Sequence, residues 1–66
     1  MRLVINGEER GFSEIDNVAA LVTALSLDPR KVAVERNLEI VPRSIYAEVA
    51  LADGDRIEIV HFIGGG

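Results

Sequence analysis

The residues most open to chemistry stand together at the end of the chain. Gly64, Gly65 and Gly66 follow directly on an apolar stretch, Ile57-Glu58-Ile59-Val60-His61-Phe62-Ile63. Three residues without side chains hold an α-carboxylate on a thin tether, a shape that threads a narrow channel in another protein and can be activated there. A chain that presents its own end in this way reads as a carrier or a tag rather than as a catalyst. A glycine run by itself is more commonly a frayed end or an expression scar, so the residues before it must decide.

Catalysis by the chain itself finds little support. His61 is the single histidine and there is no cysteine, which removes Cys-His pairs and histidine-rich or thiolate metal sites. A Ser-His-Asp triad would have to draw its histidine from the last strand, where a histidine is ordinarily structural or solvated. The carboxylates show no paired spacing of the acid-base kind. The glycines lack the lysine and the following helix of a phosphate-binding loop. No catalytic residue, no metal and no bound cofactor is therefore expected.

The elements that must position the glycines form one small domain. A chain of 66 residues buries roughly 60% of the surface exposed by its unfolded state, which leaves room for a core and none for a cleft beside it. Hydrophobic residues are 48% of the total, enough for a globular fold. Lack of cysteine fits a reducing cytoplasm, the N-terminal apolar run is too short for a signal peptide, and no stretch reaches membrane-spanning length. A net charge of -4, from eleven acidic and seven unclustered basic residues, repels a phosphate backbone. Neither nucleic acid nor a membrane is an expected partner.

Met1, Leu3 and Ile5 alternate with Arg2 and Val4, the period of a half-buried strand. Asn6-Gly7 is a strong signal for a type I′ hairpin turn, returning the chain as a second strand over Glu9 to Phe12. Asp16 or Asn17 caps an amphipathic helix of about three turns, with Val18, Leu21, Val22 and Leu25 on its apolar face. Asp28-Pro29 blocks its continuation. Lys31 to Arg36 is a third strand, Asn37 makes the turn into a short fourth strand, Glu39 to Val41, and Pro42 ends it. Ser44 to Ala47 reads as one helical turn opened by the serine. Asp53-Gly54-Asp55 is a tight turn before the longest strand, Arg56 to Phe62. Leu3, Ile5, Val18, Leu21, Leu25, Val34, Ile57 and Ile59 are the expected core, with Tyr46 a core aromatic whose hydroxyl reaches the surface. The result is an α+β fold, a mixed sheet of four to five strands with one helix across one face and the other face left to solvent or a partner. The domain spans 1–63, and 64–66 form a flexible tail.

In the last strand Ile57 and Ile59 share a face with His61, and Arg56, Glu58, Val60 and Phe62 share the other. With the isoleucines inside, Val60 and Phe62 stand exposed beside the tail and, with Ile63, mark a docking surface. The competing arrangement folds Phe62 back over the sheet edge to close the core.

Strand-strand-helix-strand-strand with a terminal Gly-Gly is the pattern of the ubiquitin-like β-grasp fold. Val34-Glu35-Arg36-Asn37, Glu39-Ile40-Val41-Pro42-Arg43, Tyr46 and the block from Asp53 to Gly66 resemble the sulfur-carrier proteins of thiamin thiazole biosynthesis, over the whole chain. The final block is the most specific part, because a bare Gly-Gly end is common to ubiquitin-like modifiers and carriers. The resemblance implies that a ubiquitin-activating-like adenylyltransferase uses Mg-ATP to convert the Gly66 carboxylate into an acyl adenylate. Sulfur from a cysteine-derived donor then displaces AMP, and the C-terminal thiocarboxylate serves a thiazole synthase. Gly64 and Gly65 would thread the partners' channel. The alternatives are a carrier like the small subunit of molybdopterin synthase, a protein modifier joined through Gly66 to lysine, and an inert interaction module.

Overall fold

The computed structural model describes residues 1–62. Five strands, β1 (Arg2–Ile5), β2 (Glu8–Gly11), β3 (Val32–Arg36), β4 (Glu39–Val41) and β5 (Arg56–His61), form one sheet in the order β2-β1-β5-β3-β4. β5 runs parallel to β1 and antiparallel to β3, and both hairpins are antiparallel. The sheet is therefore mixed, and the last strand of the sequence lies at its centre. The helix α1 (Val18–Ala24) supplies the buried side chains Val18, Leu21 and Val22.

Local chemistry explains most of the boundaries. Asn6 and Gly7 have φ of 49° and 83°, and Ile5 pairs with Glu8 across them, the two-residue type I′ turn that Asn-Gly favours. That register starts β2 at Glu8, one residue before the expected Glu9, and ends it at Gly11, leaving Phe12 partly buried against the core. Asn17 caps α1 by accepting the Ala20 N–H at 2.8 Å. The helix is shorter than the apolar spacing predicts. Ser26 takes a φ of 59°, and its N–H and that of Leu27 reach back to the carbonyls of Thr23 and Val22, closing the helix at Ala24, four residues before Asp28. Asp28-Pro29 is thus not what stops α1. The Asp28 carboxylate instead accepts the Arg30 N–H and opens a single 3-10 turn, Pro29–Lys31, which moves the start of β3 to Val32.

The serine expected to open the turn after β4 does not do so. That turn is 3-10, Arg43–Ile45, with Pro42 at its N-cap and no side-chain cap. Proline reaches the position first because its fixed φ suits a helical entry.

The core lies between α1 and the inner face of the sheet. Leu3, Ile5, Val18, Leu21, Val34, Ile57 and Ile59 are buried as the alternation requires. Leu25 is only partly buried, because it sits at the C-cap rather than inside a third turn. Val22, Val32, Val41 and Leu51 fill the remaining space, with Tyr46 5% exposed among them. Burial raises the Tyr46 phenol above its ordinary value, against a weaker opposing effect of the Arg43 charge.

Candidate functional site

The candidate site is the end of β5, because that strand leads to the glycines. Its first half is held by backbone on both sides. The Val4 N–H donates to the Asp55 carbonyl at 2.9 Å and the Asn6 N–H to the Ile57 carbonyl at 2.8 Å, while β3 pairs with β5 from Arg36↔Ile57 to Val32↔His61. On the β1 side the strand pairing ends at Ile57, where the chain turns away at Asn6. The Asn6 carboxamide takes over there. It accepts the Ile59 N–H at 2.7 Å and donates to the Ile59 carbonyl at 3.2 Å, so one side chain replaces the missing peptide of a neighbouring strand. On the β3 side the Phe62 N–H donates to the Lys31 carbonyl at 2.9 Å, which holds the chain in extended form one residue past β5.

The other end of β5 is fixed by a polar network. Asp55 is 7% exposed and its carboxylate receives the Ala52 N–H at 2.8 Å, the Arg36 Nε at 2.7 Å and the Asn37 amide at 3.0 Å. Burial pushes the Asp55 carboxyl up, but the Ala52 N–H, the Asn37 amide and the Arg36 guanidinium together outweigh it and hold the group below its ordinary value. Asn37 also accepts the Arg56 N–H at 2.9 Å. Gly54, with a φ of 87°, shapes the turn that brings Asp55 inward.

Along β5 the inner residues Ile57 and Ile59 are buried, and Val60 and Phe62 are 60% and 50% exposed. Phe62 does not fold back to close the core. His61 is exposed despite sharing the inner side, because it lies at the sheet's end, beside an open depression lined in part by Ile5, Leu25, Leu27 and Ile59. Ile63, Gly64, Gly65 and Gly66 lie outside the described residues. Among the described residues no cluster of histidine and carboxylate groups has a metal-binding arrangement, and no helix is long and apolar enough to cross a membrane. Reading the sequence alone missed Asn6 and Asp55 as supports of the last strand. Asn6 is fully accounted for by its turn, and its second role depends on a residue 53 positions away; Asp55 left only the weak signal of an acid two residues before the core isoleucine Ile57, on the same side by alternation.

The model of the ThiS family matches residues 3–66, a span that includes the three glycines. Over all 66 residues the chain is 68% identical to a protein of Paramagnetospirillum magneticum named thiazole synthase, and it spans only 20% of that protein's length. It is 42% identical over 65 residues to the sulfur carrier protein ThiS of Bacillus subtilis, covering 97% of this chain and 98% of the relative. The crystal structure of the thiamine biosynthesis protein ThiS from Geobacter metallireducens superposes with a TM-score of 0.84 at 33% identity, covering 100% of both chains.

Proposed function

The chain belongs to the ThiS family, with its ubiquitin-like β-grasp fold, and on that premise we propose that it carries sulfur for thiamin thiazole biosynthesis on the carboxylate of Gly66. The observation that carries this reading is the continuity of the family match through Gly66, following a central strand clamped at both ends. A carrier must present its reactive end at a fixed point while leaving the last residues narrow, and a central strand followed by glycines meets both needs.

A carboxylate is a poor electrophile because its oxygen is a poor leaving group. A ubiquitin-activating-like adenylyltransferase solves this with Mg-ATP. The Gly66 carboxylate oxygen attacks the α-phosphorus, pyrophosphate departs, and the acyl carbon becomes bonded to AMP. Sulfide released from a cysteine-derived donor then attacks that carbon, and AMP leaves with the electron pair of the broken C–O bond. The resulting thiocarboxylate passes its sulfur to thiazole synthase. The relative named thiazole synthase, which contains a segment 68% identical to this chain, supports the choice of acceptor. In this scheme the carrier supplies the acyl group, and its partners supply the catalytic groups. Val60, Phe62 and Ile63 dock against them beside the channel that takes Gly64 and Gly65.

Intact mass spectrometry tests the reading. With the cognate adenylyltransferase, Mg-ATP and the sulfur source, residue 66 gains the mass of one oxygen replaced by sulfur. One alanine appended after Gly66 prevents the change, since the activated carboxylate is then displaced from the glycine. Unchanged mass with a demonstrably active partner overturns the proposal.

A further inference from the structure

Two turns of the same shape differ at one position, and the difference is chemical. The chain holds three asparagines and no glutamine. Asn6 and Asn37 each open a two-residue turn, at φ of 49° and 50°, and each bonds the backbone of β5 through its carboxamide. Leu38 follows Asn37, whereas Gly7 follows Asn6. Gly7 has no side chain and open space where a Cβ would stand, so nothing shields its peptide nitrogen from the Asn6 carboxamide carbon. The branched side chain of Leu38 shields the corresponding nitrogen. Asn17 is restrained twice, since it precedes the β-branched, fully buried Val18 and its own oxygen is engaged by the Ala20 N–H.

We propose that Asn6-Gly7 is a site of spontaneous deamidation, gated by the clamp on Ile59, and that the conversion ends the working life of that clamp. The site follows from the turn itself, and its consequence for activation rests on the carrier reading. The Gly7 nitrogen loses its proton to hydroxide and bonds to Cγ of Asn6; the Cγ–Nδ2 bond breaks, and Nδ2 leaves as ammonia after taking a proton from water. Water then opens the five-membered imide at one of its two carbonyl carbons. Attack at Cγ restores the main chain with an aspartyl side chain, and attack at the main-chain carbon leaves an isoaspartyl link with one extra backbone carbon. Either product lacks the Nδ2 donor. The first sets a carboxylate oxygen against the Ile59 carbonyl, 3.2 Å from the Nδ2 it replaces, and the second no longer fits the two-residue turn between Ile5 and Glu8. The intact clamp delays both. A carboxamide held to Ile59 by its oxygen and its nitrogen does not swing its carbon toward Gly7, so the reaction waits until the end of β5 opens.

The test incubates the full chain in mildly alkaline buffer, folded and in denaturing guanidinium chloride, and follows the mass of the tryptic peptide 3–10. Residue 6 should gain the mass difference between an amide and an acid in both states, about tenfold more slowly when folded, while Asn17 and Asn37 stay intact in the folded chain. Equal rates overturn the gating, and a folded chain that never converts overturns the site. Leu38→Gly gives the second turn the same bare neighbour. In that variant, denatured, Asn37 should convert within about twofold of the rate of Asn6; an Asn37 that persists overturns the assignment of reactivity to the glycine. Asn6→Asp, which stands for the first product, should speed amide exchange at Ile59 about tenfold, and unchanged exchange overturns the loss of the clamp. A partly converted sample is then given to the purified cognate adenylyltransferase with Mg-ATP and the sulfur source. The converted form should gain sulfur about threefold more slowly than the intact form beside it. Equal gain overturns the consequence for activation. Failure of both forms, with an enzyme active on its own substrate, overturns the carrier reading while the mass change at residue 6 still stands.

Discussion

The two hairpins solve the same local problem with different residues, and the difference shows where the chain spends its conformational constraints. Both use two-residue turns with positive φ at both positions, 49° and 83° for Asn6 and Gly7, 50° and 71° for Asn37 and Leu38. Both open on asparagine, which tolerates the left-handed region, and both asparagines turn their side chains onto β5. They hold it at opposite ends. Asn6 grips Ile59 near the glycines through two bonds to backbone, whereas Asn37 joins Arg56 to the buried carboxylate of Asp55. The first clamp is an isolated pair of neutral hydrogen bonds at the functional end. The second belongs to a network that includes a charge, so its loss propagates.

The largest separation between the two ends comes from Asp55→Ala. It leaves the half-buried Arg36 guanidinium, the Ala52 N–H and the Asn37 amide without their acceptor, and should cost about 2–4 kcal/mol, read as a lower midpoint in urea. The parent's pH dependence checks the same charge. The folded carboxyl sits below its unfolded value of about 3.9, so its contribution is fully present above that pH and is lost as pH falls through the folded value. Asp55→Asn should flatten that acid limb, and an unaltered limb would place the acid sensitivity elsewhere.

Intermediate effects should distinguish the asparagines themselves. Asn37→Ala removes support from the charged network and should cost about 2 kcal/mol, against about 1 kcal/mol for Asn6→Ala. Amide hydrogen exchange gives the sharper contrast. Asn6→Ala should speed exchange at Ile59 while sparing Arg56, and Asn37→Ala should do the reverse. Uniform acceleration in both variants would mean that the strand opens only as a whole, with no separate clamp at the functional end.

The smallest effect concerns the second turn residue. Leu38 is 88% exposed and holds a φ of 71°, so it pays the left-handed penalty and gains little burial in return. Leu38→Gly should stabilise by up to about 1 kcal/mol, the strain relieved less the extra freedom given to the unfolded chain. A thermal melt reads the sign. A lower melting temperature would show that Leu38 packs usefully at the turn.

Periodicity and turn chemistry were enough to place most elements. The alternation of Leu3 and Ile5, the Asn6-Gly7 turn, the Asn17 cap and the inward isoleucines of β5 each follow from interactions spanning a few residues, which a sequence displays directly. The end of α1 was not legible, because Ser26 in the left-handed region stops it without the glycine that ordinarily announces such a stop. The exposure of Val60 followed from strand alternation. The same alternation gave the exposed side for Phe62 but left open its folding back over the sheet edge, and the bond from its N–H to the Lys31 carbonyl, made to a residue 31 positions away, keeps the chain extended there.

The sequence by itself determined the kind of fold, its turns, its core face and the glycines to which the last strand leads, because each depends on near neighbours and on side-chain type. Only the tertiary structure decided that β5 lies between β1 and β3, that the Asn6 carboxamide substitutes for a peptide beside Ile59, that Asp55 gathers Arg36 and Asn37, and that Glu35 meets Glu58. Those pairings join residues far apart in the chain, and nothing local distinguishes them from the other registers an alternating strand could adopt. They are selected when burying the inner face of every strand at once leaves a single arrangement that also satisfies the buried polar groups.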